Sequence, residues 1–137
     1  MSQENVETVR RFIEALPRAQ ANSDWQPAFA EVDADVEIDD LDISLDGDPY
    51  RGHDGVRKWI GVWMESWDSW TLEDVQVQPV GEDRAIGLFL VRARGIRSGI
   101  ELCRLDALVC TLRAGKIKRG TYFNDQQQAL KAVGLEE

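Results

Sequence analysis

The chain has 137 residues, 43% of them hydrophobic and 30% charged, enough for one domain with a real core (residues 1–137) and too few for two comfortable ones. Its formal net charge of −9 repels phosphate backbones and anionic membranes, which argues against nucleic-acid and membrane roles. No apolar run approaches the ~18–20 residues that span a bilayer, and MSQENVETVRRF has no charged-then-apolar leader, so the expectation is a cytoplasmic protein.

Along the chain, Val9, Phe12, Ile13 and Leu16 recur at helical spacing with Glu7, Arg10, Arg11 and Glu14 on the other face. That pattern predicts a first helix over 3–16, stopped by Pro17. Ser23-Asp-Trp-Gln26 has the form of a capping box and predicts a second, shorter helix, with Pro27 in its first turn. From Asp35 the pattern becomes extended, over 36–38 and again over 43–45. Pro49-Tyr-Arg-Gly52 reads as a turn, and Asp54 is placed to cap a third helix. The stripe of that helix carries Val56, Trp59, Ile60, Trp63 and Trp67.

Beyond Trp70 the helical spacing ends. Four extended segments follow, 70–80, 84–95, 99–113 and 116–123, separated by short glycine-containing turns, the signature of an antiparallel meander. Asn124 is placed to cap a closing helix that ends at Gly134. Cys103 and Cys110 fall in one of these strands, about 23 Å apart at ~3.3 Å per residue, far beyond disulfide reach. They read as packed thiols, and with a single histidine in the chain they make no zinc cluster. The fold class is therefore α+β with an antiparallel sheet, and the amphipathic helices must cover one of its faces.

Several passages, in this order and spacing, resemble the SnoaL-like branch of the nuclear transport factor 2-like superfamily. They are Glu4-Asn-Val-Glu-Thr-Val-Arg-Arg-Phe-Ile-Glu-Ala-Leu16, Tyr50-Arg-Gly-His-Asp-Gly-Val-Arg-Lys-Trp59, Arg94-Gly-Ile-Arg-Ser-Gly99, Leu112-Arg-Ala-Gly-Lys-Ile117, Tyr122-Phe-Asn-Asp125 and Ala129-Leu130. The resemblance implies a curved sheet forming a cone around a cavity, and a homodimer with sheets packed together. It leaves function open, because such folds serve polyketide cyclases, ketosteroid isomerases, dehydratases, epoxide hydrolases and non-enzymatic binding modules.

The resemblance also nominates residues. Relatives of the ketosteroid isomerase type carry their general base on the first strand, and in Asp35-Val-Glu-Ile-Asp-Asp40 the nearest match is Asp39, with Asp40 one register away. An aspartate facing an apolar cavity is desolvated and becomes a better proton acceptor near neutrality. The competing reading is a solvated aspartate at a strand end. The isomerase oxyanion hole is incomplete, since its first-helix tyrosine matches Phe12 and its late-strand acid matches Leu108, with Asp106 two residues earlier on the same face.

Arg104 and Asp106 share one strand face and can form either the polar end of a pocket or a surface ion pair. The resemblance to limonene epoxide hydrolase-type relatives fails at the aspartate before the Tyr-Phe pair, here Thr121. His53, the sole histidine, either acts in the cavity or braces the start of the third helix. Trp25, Trp59, Trp63, Trp67, Phe12 and Phe123 supply large apolar area, as core or as the walls of a pocket for a flat ring, and Tyr122 offers a hydroxyl. The stretch Asp42 to Gly47 has the start of an EF-hand loop but His53 at its twelfth position, which argues against calcium. Arg92, Arg94 and Arg97 read as surface ion-pair partners.

The sequence thus predicts a small hydrophobic ligand and cofactor-independent proton transfer of the isomerase, cyclase or dehydratase type, with Asp39, Asp106, Arg104 and His53 as acting groups. Phe12, Trp25, Trp59, Trp63, Leu108, Tyr122 and Phe123 are the expected ligand contacts. A non-enzymatic carrier or sensor, or a dimeric interaction module with a filled pocket, is the alternative. No metal and no cofactor is required.

Overall fold

The computed structural model describes residues 2–40, 48–65, 67–95 and 98–135. The elements run α1 (Ser2–Asn22), α2 (Gln26–Phe29), β1 (Val32–Asp40), β2 (Tyr50–Arg51), α3 (Gly52–Met64), β3 (Trp67–Val80), β4 (Arg84–Gly95), β5 (Glu101–Arg113), β6 (Lys116–Phe123) and α4 (Gln126–Ala132). The six strands form one curved sheet in the order β2-β1-β6-β5-β4-β3. The meander β3 to β6 is antiparallel, as the short glycine turns predict, while β1 joins β6 in parallel because a helix-containing connection separates them in the chain.

Helices α1 and α3 pack on one face of the sheet. Val9, Phe12, Ile13 and Leu16 of α1 and Val56, Trp59 and Ile60 of α3 meet Val36 and Ile38 of β1, Phe89 and Val91 of β4, and Leu108 and Cys110 of β5 in one core. Gly87 permits this contact: a Cβ there would sit 2.4 Å from Ile13 Cδ1, so α1 lies directly on the backbone of β4. On the outer face α4 covers a smaller cluster of Val80, Ile86, Ala107, Ala129 and Val133, with Phe123 packed against it.

Several local expectations are corrected. Pro17 does not stop α1, which continues to Asn22. Leu16 and Ala19 are buried on either side of it, and that packing holds the turn despite the missing N–H. The Ser23 capping box does not form. Ser23 takes a left-handed conformation, and the residue preceding α2 is Trp25, without a side-chain cap. Pro49 to Gly52 is not a simple turn, because Tyr50 and Arg51 pair with Ile38 and Glu37 of β1. Helix α3 begins at Gly52 without a side-chain cap, so Asp54 lies inside its first turn, and Trp67 opens β3 instead of ending α3. The closing helix is capped by Asp125, whose Oδ1 accepts from the N–H groups of Gln127 and Gln128. The extended piece expected over 43–45 lies outside the described residues. Cys103 and Cys110 are both free thiols.

Candidate functional site

A narrow cavity lies between α1, α3 and the sheet. Ile13 and Leu16 of α1, Trp59, Ile60 and Trp63 of α3, Trp70 and Leu72 of β3, Phe89 and Val91 of β4, Leu108 of β5 and Tyr122 of β6 line it. The lining residues are apolar apart from the indole N–H groups of three tryptophans and one phenol. The space open to the centre of a water molecule is about 20 Å³, room for one or two waters. A ring can therefore enter only if side chains at the cavity edge move. Trp63 and Trp70 are only partly buried, and their rings stack 6.3 Å apart.

Two carboxylates are buried beside this cavity. Asp106 is fully buried in the middle of β5. Arg104 Nε donates to its Oδ1 at 2.6 Å and Arg104 Nη2 to its Oδ2 at 3.0 Å, the two-pronged geometry that suits a guanidinium. The Tyr122 hydroxyl also donates to Asp106 Oδ2. Arg104 keeps a third of its side chain exposed and lies over the Trp63 ring, 5.9 Å from its centre. Burial, and then the Asp106 charge, hold the Tyr122 hydroxyl well above its ordinary range.

Asp40, at the end of β1, is also buried. The Trp59 indole N–H donates to its Oδ2 at 2.8 Å. The Trp59 ring in turn meets Tyr122 edge-on, 5.7 Å between centres, so the two aromatic side chains form one wall with a carboxylate behind each. The Tyr50 hydroxyl is held above its ordinary range by burial and by the Asp40 and Glu65 charges. Across the cavity, the Trp70 indole N–H is buried and has no hydrogen-bond partner among the described residues.

Of the residues nominated from sequence, Trp59, Trp63, Leu108 and Tyr122 line the cavity, and Arg104 and Asp106 stand behind it. Asp39 is a correction. It points away from the core and pairs with the exposed Arg119, whose Nη2 lies 2.7 Å from its Oδ2. Strand alternation decides this: Val36, Ile38 and Asp40 are buried in turn, so Asp39 must face the other way. The period of two was readable in the sequence and outranks the alignment with the isomerase base.

His53 is also outside the cavity. It stacks on Phe29 at 4.4 Å, its buried Nε2 without a partner among the described residues. Trp25 stacks on the same Phe29, and Arg57 lies over both rings. Phe12 is core packing, and Phe123 faces the outer cluster under α4. Trp70, Leu72, Phe89 and Val91 were not anticipated as lining. Their shared strand face could have been read from alternation, but not that α1 leaves a gap above them.

Among the described residues no group of three or more His, Cys, Asp or Glu could hold a metal, and the stretch 42–47 lies outside them. Arg92 and Arg94 form exposed ion pairs with Glu73 and Glu101, and among the described residues no helix is long and apolar enough to cross a membrane.

No family model matches the chain, and no curated protein matches it in sequence. Solved structures do. A candidate polyketide cyclase from Xanthomonas campestris pv. campestris superposes with a TM-score of 0.73 at 20% identity, covering 96% of this chain and 98% of that one. A candidate SnoaL-like polyketide cyclase from Jannaschia sp. CCS1 gives a TM-score of 0.69 at 18% identity, over 99% of this chain and 95% of the other. The fold is that of the nuclear transport factor 2-like, SnoaL-like domains. TerC, crystallised with polyporic acid, shares this fold with a TM-score of 0.74 at 16% identity, covering 96% of this chain and 98% of TerC.

Proposed function

We propose that this SnoaL-like domain binds a small hydrophobic, ring-containing molecule between α1, α3 and the sheet, and catalyses cofactor-independent proton transfer of the isomerase, cyclase or dehydratase type. One observation carries the reading. A fully buried carboxylate, Asp106, is held by a guanidinium and a phenol at the edge of a cavity whose other walls are apolar. Buried ion pairs contribute little net stability compared with apolar replacements, and such constellations in clefts are where proton chemistry is found. TerC supports the reading, since that protein of the same fold was crystallised with an organic molecule. Asp106 replaces Asp39 as the proposed acting carboxylate, and Arg104 fixes its charge and orientation.

We further propose a homodimer through the outer sheet face. Leu105 is 56% exposed there beside Leu90, its register partner on β4, and the partly exposed Leu88.

A thermal-shift series with naphthalene-, anthraquinone- and steroid-sized compounds tests the binding. A ligand at ~100 times its dissociation constant adds about 2.7 kcal/mol to native stability and raises Tm by several degrees. Stabilisation without turnover of any stabilising compound supports a carrier instead of an enzyme. The small volume of the cavity favours a second reading, a dimeric interaction module whose pocket stays filled by its own side chains. Absence of any shift across the series selects it.

A further inference from the structure

We propose that Tyr122 is the relay through which an acidic hydroxyl of the bound molecule, a phenol or an enol, passes its proton to Asp106. The inference rests on the small-molecule reading above and specifies how that site is reached. Asp106 is fully buried and does not line the cavity, whereas Tyr122 does. Both Asp106 oxygens already accept hydrogen bonds, Oδ1 from Arg104 Nε and Oδ2 from Arg104 Nη2 and Tyr122. A proton moving between a ligand and this carboxylate therefore passes through the Tyr122 oxygen.

The direction of that hydrogen bond sets the ligand chemistry. A phenol has one O–H, and Tyr122 spends it on Asp106. Its oxygen turns only lone pairs to any other partner. A carbonyl or ether oxygen there would set lone pair against lone pair, while a hydroxyl donates. The opposite need exists at Trp70, whose buried N–H has no acceptor among the described residues. The complementary molecule is a flat ring system with an acidic hydroxyl at Tyr122 and a second, accepting oxygen within reach of Trp70. The Trp59 indole that donates to Asp40 has no basic lone pair to receive a proton.

The transfer balances. The ligand O–H bond breaks and its proton bonds to Tyr122 Oη, while the Tyr122 proton moves to Asp106 Oδ2. The ligand becomes a phenolate or enolate, Tyr122 is again a neutral phenol, and Asp106 is a neutral acid. One negative charge has moved from Asp106 to the ligand, near the unchanged Arg104 cation. The raised Tyr122 pKa couples the two transfers, because a free tyrosinate is not formed near neutral pH.

The probes are 4-nitrophenol and its methyl ether 4-nitroanisole, similar rings that differ in the donor. Calorimetry on the intact chain should show the phenol bound roughly tenfold more tightly than the ether. The visible absorbance of nitrophenolate should show the bound phenol ionising at lower pH than the free one. In Tyr122→Phe the preference should fall to about one while ether binding is kept. In Asp106→Asn ether binding should persist, but the bound phenol should stay un-ionised at the pH where wild type ionises it. An undiminished preference in Tyr122→Phe, or unchanged ionisation in Asp106→Asn, overturns the relay while leaving the binding site in place. If Tyr122→Phe loses ether binding as well, the Asp106→Asn ionisation curve decides. Failure of wild type to bind either probe removes the small-molecule reading, and the relay with it.

Discussion

Asp106 and Asp40 sit behind the same aromatic wall, one in the middle of a central strand and one at the end of β1, and the side chains that join them to the cavity differ in kind. Tyr122 both donates and accepts, so it connects Asp106 to the cavity chemically. Trp59 only donates, so it braces Asp40 and cannot itself pass a proton to it from a ligand. Asp106 has a guanidinium on both oxygens. Burial alone therefore does not mark an acting carboxylate; the partner through which it is reached does.

The largest test of this contrast is Arg104→Ala. It leaves the buried Asp106 charge without its cation, and we expect a loss of about 2–4 kcal/mol in urea denaturation. The figure overlaps only the lower part of the range for fully buried pairs because a third of Arg104 is exposed. A loss under ~0.5 kcal/mol would show that the pair is not desolvated.

Trp59→Phe keeps an aromatic ring, smaller than the indole, but deletes the Trp59–Asp40 hydrogen bond, and should cost about 1–3 kcal/mol. If the brace is only structural, the phenol-over-ether preference survives at the wild-type ratio. Loss of that ratio would put Asp40 in the chemistry.

Tyr122→Phe should cost about 1 kcal/mol near pH 7 and alter the alkaline limb of stability. The folded Tyr122 pKa lies above the unfolded value, so above about pH 10 the unfolded chain releases a proton that the native state retains. Stability is then fully present below pH 10 and falls as pH rises, by up to ~1.4 kcal/mol per unit for this group. Tyr50 and the buried Cys110 thiol are shifted the same way and add to the fall. Denaturant midpoints between about pH 8 and 11 should show a shallower fall in the variant; parallel curves would contradict the sign argued here.

Asp39→Asn should have the smallest effect, about 0.2–1 kcal/mol, because its Arg119 partner is exposed and the pair is screened. Turnover, once a substrate is found, should be unchanged. Its abolition would restore Asp39 as base and undo the assignment to Asp106.

Much of this was legible beforehand. The bounds of β4 and β6 follow from their turn residues, and the α3 stripe of Val56, Trp59, Ile60 and Trp63 follows from helical periodicity, because both signals are local. The burial of Asp40 was equally legible, through its alternation with Val36 and Ile38. Pro17 misleads because propensity is a weak local preference, and burial of Leu16 and Ala19 against the sheet overrides it. His53 and Trp25 could not be placed, since their Phe29 contact depends on how α2 lies against α3.

The sequence by itself determined the elements, their order and which face of each is apolar, because these depend on residues a few positions apart. Only the tertiary structure decided that β6 lies between β1 and β5, bringing Tyr122 to Asp106 and next to Trp59. Sequence spacing gives no direction for a hydroxyl proton. That direction follows from the long-range pairing that buries Asp106 completely and sets the Tyr122 O–H against it.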